Sequence, residues 1–497
     1  MPVPSPGSPV PTVPERRVVA GVLTALWLVL WLGGYPRPNV DDSFFTGAGI
    51  HLATTGHLAN PWIAGWMGFL DNVRPDKFLL QPPLYPVVLA GWIKMFGVST
   101  ASLTGFGCAA GWGASLAGWH LFRRVSGRAT AAWIATALIA TWVLFRGLRP
   151  EPLAVFCVAA GQLCLFGRRS AGGWFAGGLL GSAAVIFHPL WLIIVVPVTL
   201  LQLLDLRANP ARVRLLAGLA ASIALSALVL VAGLGSDFPV FVHDLTAHAR
   251  FVAPKDGRLA IFLAHFRVGY DYCVNLLVLG LAVASLAASS PADRPAAWRA
   301  AGGLLLLLVL GFALYAAQST VYIVLLGALV PLLVNRTSTS WLRGLSVAAP
   351  LVLTAWFCAQ HSLQWLADRQ HDARALRPAV LAYVASAGVR QVVFDATTLR
   401  TVFDYRPPDG ALDLPWAWSP GREDRWWSPG HLAAFDLWVV NPIWSRNQLP
   451  KESGRDRFTF LGRPFHSVRS SRALLLVVGP GLPAPSPDLP FIRSATP

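Results

Sequence analysis

The chain has 497 residues, 55% of them hydrophobic and only 13% charged, with a mean hydropathy of +0.53. Soluble domains carry about 25% charged residues, so the composition excludes a soluble globular protein and indicates a polytopic α-helical membrane protein. The formal net charge of +16 does not indicate nucleic acid as a partner, because the arginines are scattered in short connections between apolar runs, where they act as topology signals.

In chain order, residues 1–17 ("MPVPSPGSPVPTVPERR") are Pro-rich and read as a disordered cytoplasmic extension. The next run, Val18 to Tyr35, is long for a signal-peptide core and lacks a small-x-small cleavage site, so it reads as a retained helix. About eleven segments suit a span: 18–35, 102–122, 129–145, 152–167, 172–187, 189–205, 213–234, 270–289, 300–317, 320–335 and 342–359. The pair at 172–205 is short and meets at Phe187-His188-Pro189.

Alternate connections carry the basic residues: Arg16 and Arg17; Arg123, Arg124 and Arg128; Arg168 and Arg169; Arg207, Arg212 and Arg214; Arg294 and Arg299; Arg336 and Arg343. Short basic loops stay cytoplasmic. The N-terminus is then inside, the C-terminus outside, and the sequon Asn335-Arg336-Thr337 faces the cytoplasm. The expected organisation is a membrane domain over 18–359, with a first outer loop at 36–101, and an extracytoplasmic α/β domain over 360–497 with a disordered end.

Within the first outer loop, Phe44, Ala48 and Leu52 recur at helical spacing beside Phe45 and predict an interfacial helix. A second amphipathic helix is predicted over Pro82–Gly97, its prolines at the front where a helix tolerates them. In the tail, "RPAVLAYVASAGVRQVVFDA" predicts helix, turn and strand, and "FDLWVVNP" and "RALLLVVGP" predict further strands. Cys108, Cys157, Cys164, Cys273 and Cys358 all fall in apolar segments without a CxxC pair, and read as small buried hydrophobes.

Several groups stand out chemically. Asp41 and Asp42 are adjacent carboxylates just after the first span. One reading has Asp42 cap a helix starting near Ser43, which leaves Asp41 to aim at a substrate, since neighbouring helical residues point about 100° apart. In "FRGLRPEPL", Arg146, Arg149 and Glu151 occupy a very short outer connection. Snorkelling interface charges are one reading; cations on the side that the positive-inside rule depletes also suit an anionic ligand such as phosphate. Gln318 and Tyr322 open a late span, and His188 precedes Pro189. The loop at 235–269 offers His243, Asp244, His248, Arg250, Lys255, Arg258, His265 and Arg267 as a polar lid or acceptor-side loop without a metal motif. Trp416, Trp418, Trp426 and Trp427 could stack on sugar rings, anchor at an interface or fill a core.

The order of these elements resembles the GT-C superfamily of glycosyltransferases. An acid pair follows the first span, then come an interfacial helix, "PPLYP…FG", "RPEP", "HP" and a Tyr-led late segment ending in Pro, over roughly residues 18–335. Within it the chain is similar to the branch of protein O-mannosyltransferases and bacterial aminoarabinose transferases of lipid A. The resemblance implies a polyprenyl-phosphate-linked sugar as donor and inverting transfer to a hydroxyl on the extracytoplasmic face of a bacterial inner membrane. It implies Asp41 as general base and Asp42 as second acid. Relatives commonly carry Lys just before the PPL element, where this chain has Gln81, with Lys77 the nearest substitute. Arg149 and Tyr322 are expected near the donor phosphate, and Glu151 and His188 near substrate. The acceptor is a lipid, polysaccharide or protein. No sequence feature demands a metal; relatives differ, which leaves a divalent cation near Asp41 and Asp42 as an alternative. The rival class is a membrane transporter or flippase of cell-envelope precursors. Its charges would sit near the bilayer midplane, whereas here they gather at segment ends.

Overall fold

In the computed structural model, residues 11–36, 42–60, 77–79, 81–167, 170–205, 211–252, 271–314, 319–335, 340–370, 383, 386–389, 392–394, 436–440, 455–471 and 474–483 are described. Residues 1–10 of the Pro-rich start, Asp41, most of the 235–269 loop beyond Val252, the Trp416–Trp427 stretch and the last residues lie outside them, whereas Val13 to Arg17 of that start form the first turns of a helix capped by Thr12 rather than a disordered extension. The chain divides into two compact units. One comprises Met1–Pro36, Leu79–Tyr85 and Gly105–His361; the other comprises Arg37–Phe78, Pro86–Thr104 and Ser362–Pro497.

The helices are α1 (Val13–Leu32), α2 (Asp42–Thr55), α3 (Leu84–Phe96), α4 (Thr100–Ser126), α5 (Ala129–Arg146), α6 (Glu151–Gly167) and α7 (Ala171–Phe187). They continue as α8 (Leu192–Asp205), α9 (Arg212–Leu234), α10 (Phe238–Val252), α11 (Asp271–Ala287), α12 (Arg294–Leu314), α13 (Ser319–Val334) and α14 (Ser340–Gln370). Each of the eleven expected spans falls on one of these helices. Among the described residues, three continuous helical stretches, Ala129–Arg146, Arg212–Thr246 and Trp341–Leu363, are each long and apolar enough to cross a membrane, and shorter apolar helices accompany them. On α9, Ile223, Leu225, Leu228 and Val229 are exposed, an outward apolar face that suits lipid as solvent. Cys108 and Cys157 are buried as expected. Cys273 and Cys358 are not; they lie exposed on α11 and α14, because their helix faces turn outward.

Close packing of small residues anchors α7. A Cβ on Gly178 would stand 1.9 Å from Ser222 Oγ on α9, and one on Gly218 of α9 would stand 2.5 Å from the Ala171 carbonyl. Backbones approach this closely only where side chains are absent. At its far end α7 stops because Pro189 follows. His188 takes an extended backbone (φ −154°, ψ 116°), as residues before proline do, and a short 3-10 turn over Pro189–Trp191 leads into α8.

Two polar fastenings hold other helices. Asn335 is fully buried; its Nδ2 donates to the Ser285 carbonyl (3.2 Å) and Ser285 Oγ (2.7 Å), and its Oδ1 accepts from Ser289 Oγ (2.9 Å). In α1, Glu15 accepts from Arg123 Nε of α4 at 2.8 Å. That guanidinium hydrogen bond holds the Glu15 carboxyl below the ordinary carboxylate range.

In the second unit, α2 buries Phe45, Thr46 and Ala48 and packs against α3, where a Cβ on Gly49 would meet Leu89 at 2.7 Å. The helix begins at Asp42 rather than Ser43. Asp42 is therefore a helical residue, not the flanking cap. The same unit holds a five-stranded sheet in the order β1-β2-β5-β4-β3, formed by β1 (Val392–Phe394), β2 (Leu437–Val440), β3 (Arg457–Phe460), β4 (Arg463–Ser471) and β5 (Leu474–Val478). β1 pairs with β2 in parallel and the rest are antiparallel. β1, β2 and β5 are the strands expected from the sequence. The β3–β4 hairpin is additional, and turns through Leu461 and Gly462, both at positive φ (50° and 77°), the geometry of a tight primed turn. Trp438, Phe458 and Phe465 form its aromatic core.

Candidate functional site

The polar site of the helical unit is built on the turn between α5 and α6. Arg146 ends α5, Gly147 turns the chain at φ 65° and ψ −130°, and Glu151 opens α6. An L side chain rarely adopts that backbone conformation. A carboxylate in the first turn of α6 also complements the partial positive charge of a helix N-terminus. Leu148, between the two arginines, is buried, and its carbonyl accepts a hydrogen bond from the Tyr85 hydroxyl. Tyr85 belongs to the "QPPLYP" element, so one hydrogen bond ties the two sequence motifs together. Gln81 lies in the same element and is buried.

Glu151 is 0% exposed, and its Oε1 lies 2.9 Å from Arg149 Nη2 and 4.0 Å from Arg146 Nη1. His188 and both arginines are within its electrostatic reach. The Arg146 guanidinium lies 5.0 Å above the Trp142 ring and 5.7 Å above the Tyr322 ring, a cation–π seat that fixes a cation without neutralising it. Trp191 closes the aromatic floor, 5.3 Å from Tyr322 and 6.2 Å from Trp142. Among the described residues, the indole N–H groups of Trp142 and Trp191 and Glu151 Oε2 make no hydrogen bond. A cavity of about 140 Å³ shares Trp191 as part of its wall and is otherwise lined mainly by apolar side chains, among them Val155, Ala159, Ile194, Leu325 and Leu329.

The structure thus brings Arg146, Arg149 and Glu151 of one sequence motif together with His188 and Tyr322 from two others. Lys77 is half-buried and belongs to the other unit, as does Asp42 at the first position of α2. Trp142 and Trp191 were not singled out in the sequence; in a chain with 21 tryptophans only their contacts mark them. His243 and Asp244 of the 235–269 loop form a separate pair on α10, Nδ1 to Oδ1 at 3.0 Å.

A site of this kind offers guanidinium groups, unmatched N–H donors and a carboxylate beside an apolar cavity. That donor set suits a phosphate carried on an apolar chain. Comparison with solved structures finds the crystal structure of ArnT from Cupriavidus metallidurans bound to undecaprenyl phosphate, with a TM-score of 0.53 and 12% sequence identity, covering 92% of this chain and 97% of that one. The chain has an ArnT-like fold. At that identity the likeness is one of fold, and the ArnT-like architecture spans almost the whole of both proteins. No protein-family model and no curated protein matches the sequence.

Proposed function

We propose that this ArnT-like protein is an integral-membrane glycosyltransferase of a bacterial inner membrane. It would move a sugar from a polyprenyl-phosphate carrier to a hydroxyl acceptor on the extracytoplasmic face. The observation that carries the reading is the buried Arg146–Arg149–Glu151 cluster on its aromatic floor, set in a fold shared with a protein that binds undecaprenyl phosphate. The apolar cavity walled by Trp191 suits an isoprenoid tail.

The donor is a phosphodiester with one negative charge. The acceptor oxygen attacks the anomeric carbon, the bond from that carbon to the phosphate oxygen breaks, and its electron pair stays on the phosphate. The acceptor proton passes to a carboxylate base, assigned to Asp41 with Asp42 in support. The lipid phosphate leaves with a second negative charge, which Arg146 and Arg149 stabilise, with Tyr322, Gln81 and Lys77 assigned to the same phosphate. One displacement inverts the anomeric centre.

The test is Asp41→Asn in protein shown to insert normally, with transfer measured from a polyprenyl-phosphate sugar. Loss of at least ~100-fold in turnover is expected for a missing general base; unchanged products would reject the mechanism. The interrupted helix at His188–Pro189 favours the flippase reading. In that case Asp41→Asn would leave lipid translocation intact, and mass analysis would find no sugar-bearing product.

A further inference from the structure

Two hydrogen-bond donors in the aromatic floor are left over by the fold. Trp142 on α5 and Trp191 in the turn before α8 are both buried. Neither indole N–H makes a hydrogen bond among the described residues. A buried N–H without an acceptor destabilises a fold, because it has left water without gaining a partner. Here two such groups stand together. The rings lie 6.2 Å apart, edge to face, and they pack on Tyr322 at 6.0 Å and 5.3 Å.

Their surroundings indicate the kind of acceptor that would match them. The Arg146 guanidinium lies over the Trp142 ring at 5.0 Å, so an anion drawn to that cation comes close to this indole. Trp191 belongs both to the aromatic floor and to the wall of the apolar cavity. It stands where the charged head of a lipid would meet its apolar chain. We propose that the indole N–H groups of Trp142 and Trp191 donate hydrogen bonds to the phosphate oxygens of a polyprenyl-phosphate lipid, and so recognise its head group. The identity of the lipid rests on the transferase reading above. A guanidinium attracts an anion over a distance, whereas an N–H adds a short, directional bond. Indole is a donor only, so these two residues bind the ligand and exchange no proton with it.

The experiment titrates purified full-length protein with undecaprenyl phosphate and with undecaprenol, which has the same chain and no phosphate. Trp191→Phe keeps an apolar ring and removes the donor. It is expected to weaken undecaprenyl phosphate ~10-fold or more, since hydrogen bonds to charged groups are the stronger kind, and to leave undecaprenol nearly unchanged. The unliganded variant should unfold at the wild-type temperature or above it, because an unmatched donor has left the interior. Trp142→Phe should show the same selective loss, with some weakening of both lipids because that ring also seats Arg146. Trp119 on α4 is the control. Its buried indole N–H is also unmatched among the described residues, but its ring neighbours are His120 and Trp133. Trp119→Phe should leave both affinities unaltered. A variant at 142 or 191 that weakens both lipids equally, or neither, overturns the proposal for that indole, and so does an equal selective loss in Trp119→Phe. Where a Phe variant does not fold, benzothienylalanine at the same position, which keeps the ring shape and lacks the N–H, decides by the same comparison. Failure of the wild-type protein to bind undecaprenyl phosphate more tightly than undecaprenol sinks the transferase reading itself.

Discussion

Around Asn335, three neutral side chains satisfy one another by direct hydrogen bonds, with donors and acceptors matched between α11 and the end of α13. Around Glu151, two guanidinium groups approach one carboxylate oxygen, and two indole N–H groups make no hydrogen bond among the described residues. Both clusters are buried in the same helical unit. The first arrangement is complete without a ligand, so it fastens helices. The second keeps binding capacity that the protein itself does not consume, and buried polar groups left in that state are where a ligand belongs.

That contrast can be broken by substitution. The largest effect is expected for Arg149→Ala, which strands Glu151 without its nearest cation. Losing one partner of a buried pair costs about 3–5 kcal/mol, and polyprenyl-phosphate binding should fall at least ~100-fold. Thermal unfolding and lipid titration read the two effects, and unchanged lipid binding would make this cluster as structural as Asn335's. Asn335→Ala should cost about 1–3 kcal/mol by leaving buried groups unmatched, yet leave the dissociation constant for the lipid unaltered. A change in lipid affinity there would erase the distinction. Tyr85→Phe removes the hydrogen bond to the Leu148 carbonyl, about 1 kcal/mol; donor KM should rise a few-fold with kcat nearly constant.

The smallest effect concerns Glu15, whose carboxyl is held below its ordinary value by Arg123. A depressed acid contributes stability that is present above its unfolded pKa and is lost as pH falls through the folded one. Thermal unfolding of wild type should therefore approach that of Glu15→Gln as pH drops below about 4, and exceed it slightly at pH 7. Because Glu15 is partly exposed, solvent screening keeps the difference small.

Much of the architecture could be read from the chain because a membrane imposes few solutions. Each apolar run became a helix, and His188-Pro189 marked the interruption between α7 and α8. Arg146, Arg149 and Glu151 were visible as charges crowded between two spans, where charge is costly. Trp142 and Trp191 were not, since an aromatic residue in an apolar helix looks the same whether it faces lipid or supports a guanidinium. The start of α2 was read one residue late, within the usual uncertainty of helix ends. The β3–β4 hairpin was missed because its strands, "RFTF" and "RPFHSVRSS", carry arginines and a proline among the apolar residues. Leu461-Gly462 was the remaining signal for a turn.

Gly147 separates the two cations with a backbone bend at φ 65° and ψ −130°. The charge spacing at this site is therefore written into a residue that has no side chain. Surface drift along α5 or α6 would leave it untouched, while one methyl group at position 147 would move both arginines together. A saturation library across residues 142–151 should show this as a sharp asymmetry: Gly147 would tolerate almost nothing, beside exposed neighbours such as Phe145 that accept most apolar replacements.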